Sequence, residues 1–398
     1  MSERRMRVGV AGLGRAFMLT LPALVGDRRV ELVAAADPRP EARERFASEF
    51  GAPAYASVEE LCADVAVEVV YMATPHELHS QHAIMAVRSG KHVVVEKPMA
   101  VTLDDCVAMV AAAEAARVTL MVGHSHSFDR PVTRTRELID SGEFGSLRMV
   151  QAQYYTDFLY RPRRPEELAT ERGGGVVFSQ AAHQVDVVRL LAGGRVRSVR
   201  ALTGAWDRER PTEGAYVALL QFEQGVIASL GYSGYAHFDS DELCAGISEL
   251  GTLKPVSHYG SARRNLALLG ARDEAAEKAA RGYGGCEAAR GSAQQKNERT
   301  WHEHFGVVIA SCDRADLRPL PTGVMVYGDD APRMEALDRP AIPRSTVIDE
   351  LYAAVVEGVP ALHDGRWGMA TQEVCLALLR SAREGRDIPM SHQVAASR

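Results

Sequence analysis

Two side chains able to move a proton stand in settings that restrict them. Lys97 lies in Glu96-Lys97-Pro98-Met99, directly after the apolar run His92-Val93-Val94-Val95. A lysine fixed at the carboxyl end of a buried parallel strand can hydrogen-bond a substrate oxygen and, if burial lowers its proton affinity, exchange a proton. It could equally pair with Glu96. His183 lies in Gly173-Gly174-Gly175 through Leu191, a pattern that predicts a glycine-initiated helix, apolar around most of its circumference. Ser179, His183 and Asp186 fall at i, i+4 and i+7, a polar seam along that helix. The seam reads either as a core histidine satisfied by a neighbouring carboxylate or carbonyl, or as the wall of a wet cavity. Lys97 and His183 are the candidate catalytic residues.

A second chemistry is anion and ribose binding. The strand Arg7-Val8-Gly9-Val10-Ala11 runs into Gly12-Leu13-Gly14-Arg15-Ala16 and then a helical pattern. Gly12 allows a tight turn and Gly14 lets backbone amides approach a pyrophosphate at a helix N-terminus. The third glycine of the usual fingerprint is missing, with Phe17 in its place. The next strand, Val30 to Ala36, ends in Asp37, placed to accept ribose hydroxyls and to repel a 2'-phosphate. NAD is therefore the expected cofactor, while Arg39 leaves NADP open. A third strand, Val67 to Ala73, ends in Thr74-Pro75-His76-Glu77, read as a helix start with Thr74 capping and Glu77 closing a capping box. Loops after parallel strands face the ligand crevice, so Thr74, Pro75, His76, His79 and Glu96 join the cofactor candidates. His76, His79 and His82 lack an accompanying acid or cysteine at ligand spacing, and no metal is expected.

These residues need an alternating β/α domain, which the pattern supplies through the helix Leu103 to Arg117 and the strand Val118 to Gly123. From Leu147 the pattern changes to strands separated by glycine turns: Ser198 to Trp206, Ala215 to Phe222, Val226 to Ser233 and Gly323 to Tyr327. The fold class expected is an α/β Rossmann domain over 1–123, then an α+β domain over 124–398 with a predominantly antiparallel sheet. A polar insertion over about 252–299 contains one predicted helix, Asp273 to Arg281, and reads as a lid, a subunit contact or a loop. Trp301 to Gly306 looks metal-like, but His302 and His304 would alternate on one strand face without a third ligand.

With 398 residues, 46 basic against 52 acidic side chains and no long charge blocks, neither nucleic acid nor an anionic membrane is an expected partner. The N-terminus enters a strand at once, without a signal sequence, so a cytoplasmic location is expected. The six cysteines, Cys62, Cys106, Cys244, Cys286, Cys312 and Cys375, are scattered and read as reduced thiols.

The Gly-x-Gly turn, Ala73-Thr74-Pro75, Glu96-Lys97-Pro98 and the glycine-initiated helix with His183 and Asp186 occur in a fixed order. Together they resemble the Gfo/Idh/MocA family of NAD(P)-dependent oxidoreductases. The resemblance implies proton transfer and substrate binding by Lys97 and His183. The family's aspartate four residues before the histidine is Ser179 here, and a glycine is replaced by Ala181, which implies a substrate other than an ordinary polyol. Within the family, Gly123 to Phe128, Tyr154 to Pro165 and Ser179 to His183 are similar to phthalate 4,5-cis-dihydrodiol dehydrogenases. That similarity implies oxidation of a carboxylated cyclic cis-dihydrodiol to a catechol. It also implies a homodimer or homotetramer formed through the open face of the second sheet, and a C-terminal helix, about 370–384, packed on the cofactor domain.

The residues agree with such a substrate. Arg161, Arg163 and Arg164 are planar donors suited to carboxylates, unless they pair with Glu166 and Glu167. His124, His126, Tyr155, Ser179 and Gln180 are the remaining substrate candidates. A sugar or inositol dehydrogenase, or a nicotinamide-binding sensor without turnover, are the alternatives.

Overall fold

The computed structural model describes residues 4–269, 273–285 and 300–396. The chain divides into two compact units. The first takes in the chain up to His124, the described residues from Asp273, and Ile342–Met369. The second takes in Ser125 to residue 269, 300–341 and the chain from Ala370.

In the first unit, β1 (Met6–Ala11), β2 (Val30–Ala36), β3 (Ala54–Tyr55), β4 (Val69–Met72), β5 (His92–Val95) and β6 (Leu120–Val122) form one sheet ordered β3-β2-β1-β4-β5-β6. Every pairing in it is parallel. β4 is buried along its whole length, as a strand covered on both faces must be. The order reverses between β1 and β4, and a sheet of this kind binds ligands beyond the carboxyl ends of its strands at such a reversal.

The first unit is more than a cut at residue 123 would contain. Val122 donates its amide to the carbonyl of His363, and a Cβ on Gly368 would lie 2.2 Å from the Val122 side chain. Close approach at Gly368 brings the late segment against β6. Tyr283 meets the Phe17 ring edge-on at 5.2 Å, lies under Arg45 and donates its hydroxyl to Glu49. Part of the insertion therefore completes this core. Its helix, Glu274–Ala280, starts at Asp273 as expected, and the side chain of Asp273 caps it by accepting from the amide of Ala275. A second helix, Ser261–Leu269, belongs to the other unit. Residues 270–272 and 286–299 of the insertion, with Cys286, lie outside the described residues.

The second unit is built on nine strands: β7 (Leu147–Tyr155), β8 (Val196–Gly204), β9 (Ala215–Phe222), β10 (Ile227–Ser233), β11 (Val307–Cys312), β12 (Ala315–Leu320), β13 (Gly323–Gly328), β14 (Pro332–Ala336) and β15 (Ile388–Pro389). They run in the order β14-β13-β12-β11-β7-β10-β9-β8-β15. All pairs are antiparallel except β7 with β10. Alternation sorts the faces: Tyr216, Ala218, Leu220 and Phe222 of β9 are buried, whereas Val217 and Leu219 are exposed.

Three local expectations change. Residues 300–305 are not a strand; β11 begins only at Val307, after Gly306 at φ 75°, where a Cβ would lie 2.3 Å from the Gln153 carbonyl oxygen. The long helix opens with a π-helical turn, Val177–Ala181, before the α-helix Ala182–Leu191. From Ala370 the C-terminal helix, Gly365–Glu384, groups with the second unit, where Thr371 bonds to Asp186 and Arg189 and Ser381 accepts from the amide of Ala201. No helix among the described residues is long and apolar enough to cross a membrane. The five described cysteines are free, and burial pushes the Cys62 thiol up to about 11.

Candidate active site

The first half of the chemistry lies at the carboxyl ends of the parallel strands. Gly12 adopts φ 92° with its Cα against Ala73, so close that a Cβ would lie 2.6 Å from the Ala73 carbonyl oxygen. Only glycine fits there without strain. Gly14 caps the helix Arg15–Gly26 and has open space where its Cβ would point. That helix has no side-chain cap and no acid in its first turn among the described residues. Its first amides, near Leu13, Arg15 and Ala16, thus suit an anionic group. Asp37 is buried at the end of β2, accepting from the amide of Leu13 at 2.8 Å and from the amide and guanidinium of Arg39 at 2.9 Å. Arg39 also donates to the Leu13 carbonyl. An acid held this way beside a glycine turn and an uncapped helix fits a dinucleotide.

The loops after β4 and β5 are joined by His79. Its Nδ1 lies 2.9 Å from the Pro98 carbonyl oxygen and its Nε2 2.8 Å from that of Thr74. The neutral ring donates to one of these carbonyls and lies against the other, so His79 packs behind Thr74, Pro75 and Pro98. Thr74 does not cap the next helix. His76–Leu78 forms a 3₁₀ turn with Pro75 at its N-cap, and the Thr74 hydroxyl lies 3.2 Å from His82 Nδ1. Glu96 is buried and accepts the hydroxyl of Tyr71 at 2.5 Å, while Lys97, next along, is half-buried. His76 is half-buried, its ring 5.7 Å from that of His79, and His124 is buried at the end of this unit.

The second half is assembled around His183. Its ring lies 4.8 Å from that of His126 and 5.1 Å from that of Phe305, and Tyr154 packs edge-on to Phe305 at 4.8 Å. His126 Nδ1 lies 2.7 Å from Asp129 Oδ2, and its Nε2 3.7 Å from Glu249 Oε1. Burial alone would lower the proton affinity of His126, but Asp129 and Glu249 overcome that and raise its pKa to about 9. One ligand atom each from His126, His183 and Glu249 lie within 4.8 Å of one another. That donor set has the make-up of a two-histidine, one-carboxylate metal site. Ligation needs a neutral ring, so a metal ion there would compete with the proton that Asp129 and Glu249 favour on His126.

The predicted polar seam separates in space. The hydroxyl of Ser179 donates to the Gly175 carbonyl, and Asp186 accepts from Ser127 and Thr371. Of the three, His183 alone joins the ring cluster. The amide of Val177 donates to buried Glu213 at 3.0 Å, and a Cβ on Gly175 would collide with that carboxylate. This explains the glycine at position 175. Gln180 accepts from the hydroxyl of Tyr232 at 3.2 Å. Tyr155 was expected at the substrate, but strand alternation sends it to the exposed face, beside Phe238, and turns Tyr154 inward.

The three arginines also separate. Arg164 lies 3.0 Å from Glu166 and 3.6 Å from Glu167. Arg163 stacks on Phe158 at 3.7 Å, donates to the Phe158 carbonyl and lies 3.8 Å from Glu167; burial pulls its pKa down to about 10. The Arg161 guanidinium forms no hydrogen bond or ion pair with any described residue. Burial opposes its charge, but Glu249, Tyr154, Tyr232 and Asp157 act on it and raise its pKa. Sequence reasoning missed Glu249, Asp129 and Phe305, which carry no motif.

Residues 6–124 match the oxidoreductase family model described as an NAD-binding Rossmann fold, and residues 132–253 match the Gfo/Idh/MocA C-terminal domain. The chain is 48% identical, over 95% of both chains, to 1-carboxy-3-chloro-3,4-dihydroxycyclohexa-1,5-diene dehydrogenase of Comamonas testosteroni. A solved structure from Bordetella bronchiseptica RB50, described as a dehydrogenase, is 42% identical with a TM-score of 0.90, covering 97% of this chain and all (100%) of that one. The WlbA dehydrogenase of Bordetella pertussis, solved with NADH and UDP-GlcNAcA, shares the fold at 24% identity and a TM-score of 0.68, covering 98% and 99% of the two chains. The glycine turn, the buried acid of β2 and these matches carry one conclusion: the chain is an NAD-dependent oxidoreductase of the Gfo/Idh/MocA family.

Proposed function

We propose that the enzyme oxidises a carboxylated cyclic cis-dihydrodiol to the corresponding catechol, with Arg161 binding the substrate carboxylate. The observation that carries this reading is the Arg161 guanidinium, held near Tyr154 and Tyr232 with no ion-pair partner among the described residues, while Arg163 and Arg164 face Glu167 and Glu166. A planar donor in that state suits a carboxylate bidentately. The Comamonas testosteroni relative is named for a ring bearing one carboxyl and two hydroxyl groups, which supports the same class. One available arginine fits one carboxylate better than the two of a phthalate diol.

Gly12, Gly14 and Asp37 would hold NAD+, which would supply the hydride acceptor for one carbinol carbon. Lys97 or His183 takes the hydroxyl proton, and the ketone so formed enolises to the catechol. Ser179, bonded to Gly175, orients the helix turn before His183 and is no base at neutral pH. The exposed apolar side chains Leu202, Val217, Leu219 and Ile227 share the open face of β8, β9 and β10. We propose that this face joins a second copy of the chain.

The test is NADH formation with the cis-dihydrodiols of benzoate, a chlorobenzoate and phthalate, with inositol and glucose alongside. Turnover of the carboxylated diols with a catechol product is expected. Turnover of the neutral polyols in their place would overturn the assignment.

A further inference from the structure

An arginine beside the acid at the end of the second strand can accommodate the 2'-phosphate of NADP, and Arg39 stands in that place. Here it is turned onto the acid. Its Nε lies 2.9 Å from Asp37 Oδ1 and its Nη2 3.0 Å from Asp37 Oδ2, a bidentate pair, and Nη2 also donates to the Leu13 carbonyl at 2.9 Å. A neutral ribose hydroxyl can share Asp37 with that guanidinium. A 2'-phosphate, repelled by the carboxylate, needs the guanidinium released to pair with it. Arg43, four residues on, donates to the carbonyls of Asp37 and Pro38.

A segment distant in sequence closes on Arg39 from another side. After the helix Glu274–Ala280, Gly282, Tyr283 and Gly284 form a turn on the first unit. A Cβ on Gly282 would lie 3.3 Å from Arg39 Nη1, so the turn's backbone stands against the remaining nitrogen of the guanidinium. Gly284, at φ 83°, packs on the start of the helix Pro40–Phe50, where a Cβ would lie 2.7 Å from the Ala42 Cα. Between these glycines Tyr283 is buried, edge-on to Phe17, under Arg45 and bonded to Glu49. Phe17 takes the place of the third glycine of the fingerprint, so the residue that departs from the motif is the one on which the turn is anchored. Arg39 is thus held between a carboxylate and a fixed turn.

We infer that the turn Gly282–Gly284 is a specificity element of the cofactor site, which keeps Arg39 on Asp37 and so withholds the guanidinium from a 2'-phosphate. Tyr283 is the positioning residue, acting on the cofactor through Arg39. Selectivity for NAD then has two layers, repulsion of the phosphate by Asp37 and confinement of the arginine that would otherwise receive it. The inference concerns the cofactor alone and stands whichever alcohol is oxidised.

The experiment measures the dissociation constants of NADH and NADPH by nicotinamide fluorescence, in the full-length protein and without substrate. Wild type is compared with Tyr283→Ala, Tyr283→Phe, Gly284→Ala and Arg39→Ala, and with Arg39→Ala combined with either alanine change in the turn. Wild type should favour NADH. Tyr283→Ala and Gly284→Ala should each lower that preference roughly tenfold, chiefly by tightening NADPH, because a released guanidinium gains a charged hydrogen bond to the phosphate. Tyr283→Phe, which keeps a ring on Phe17, should retain most of the preference. In the double variants the ratio should stay where Arg39→Ala alone puts it. Gly284→Ala leaves the buried ring in place and carries the test if Tyr283→Ala does not fold. Equal weakening of both cofactors would show a turn that is structural only, and would overturn the inference. So would wild type binding NADPH as tightly as NADH, an unchanged ratio in the turn variants, or a fall of the same size without Arg39.

Discussion

The two units hold their functional groups in opposite ways. In the first, each candidate sits within a few residues of the end of one strand: Gly12 after β1, Asp37 after β2, Thr74 after β4, Lys97 after β5. In the second, the cluster draws His126 from a 3₁₀ turn, His183 from a helix, Tyr154 and Tyr232 from strands, Glu249 from a tight turn and Phe305 from an irregular segment. The difference follows from topology. A parallel sheet brings all its carboxyl ends to one edge, so a ligand crevice is a property of the strand order. An antiparallel sheet has no such edge, and its site depends on which loops and helices cover one face. A motif can therefore describe the first kind of site, while the second is a matter of tertiary packing.

The largest expected effect tests the division directly. Lys97→Ala should lower kcat by roughly 10²- to 10⁴-fold while NADH still binds, as followed by nicotinamide fluorescence. Unchanged turnover would remove Lys97 from the chemistry. Gly12→Ala should do the reverse. At φ 92° with a carbonyl 2.6 Å from the added Cβ, it should cost about 1–3 kcal/mol in strain and weaken NADH binding roughly tenfold or more. Binding at the wild-type level would show that the loop shifts at little cost.

Within the second unit, the arginines sharpen the comparison. Arg161→Ala should raise KM for a carboxylated diol roughly tenfold to hundredfold, the loss of a charged hydrogen bond. Arg164→Ala, which breaks a partly exposed pair with Glu166 and Glu167, should stay within about twofold. Equal effects from both would mean that the loop acts as a whole and that the separation of the three side chains has no functional meaning.

The same contrast explains what could be read from residues alone. The Rossmann order, the glycine turn and Asp37 are local patterns, and the structure has them where the sequence puts them. Tyr155 was the tyrosine expected at the substrate; choosing Tyr154 over it requires knowing which face of β7 the helix covers. Ser179, His183 and Asp186 form one seam only on a regular α-helix, and the π-helical turn at Val177–Ala181, which begins beside buried Glu213, takes Ser179 out of it. Glu249 had no signal at all: it lies in the insertion's approach, 66 positions from His183 in the sequence, and its place beside His126 and His183 comes from a turn clamped by His304 and Trp301.

The smallest expected effect separates stability from catalysis in the second unit. His126 is buried, and Asp129 with Glu249 raises its pKa from 6.5 to about 9. A histidine whose folded-state proton affinity is raised stabilises the fold fully below its ordinary pKa, and that contribution is lost as pH rises through the folded value. It amounts to on the order of 3 kcal/mol at low pH. The Tm should therefore fall by a few degrees between about pH 7 and pH 10. His126→Asn should be less stable near pH 6 and show a flatter dependence above pH 7, because it has no proton to lose. The first unit gives a reference within the same chain: buried His79 has its pKa lowered, first by burial, so it contributes no loss over that alkaline range. A decline of equal slope in wild type and His126→Asn would mean that the alkaline loss arises elsewhere, and that the Asp129–His126–Glu249 charges are already balanced without the proton.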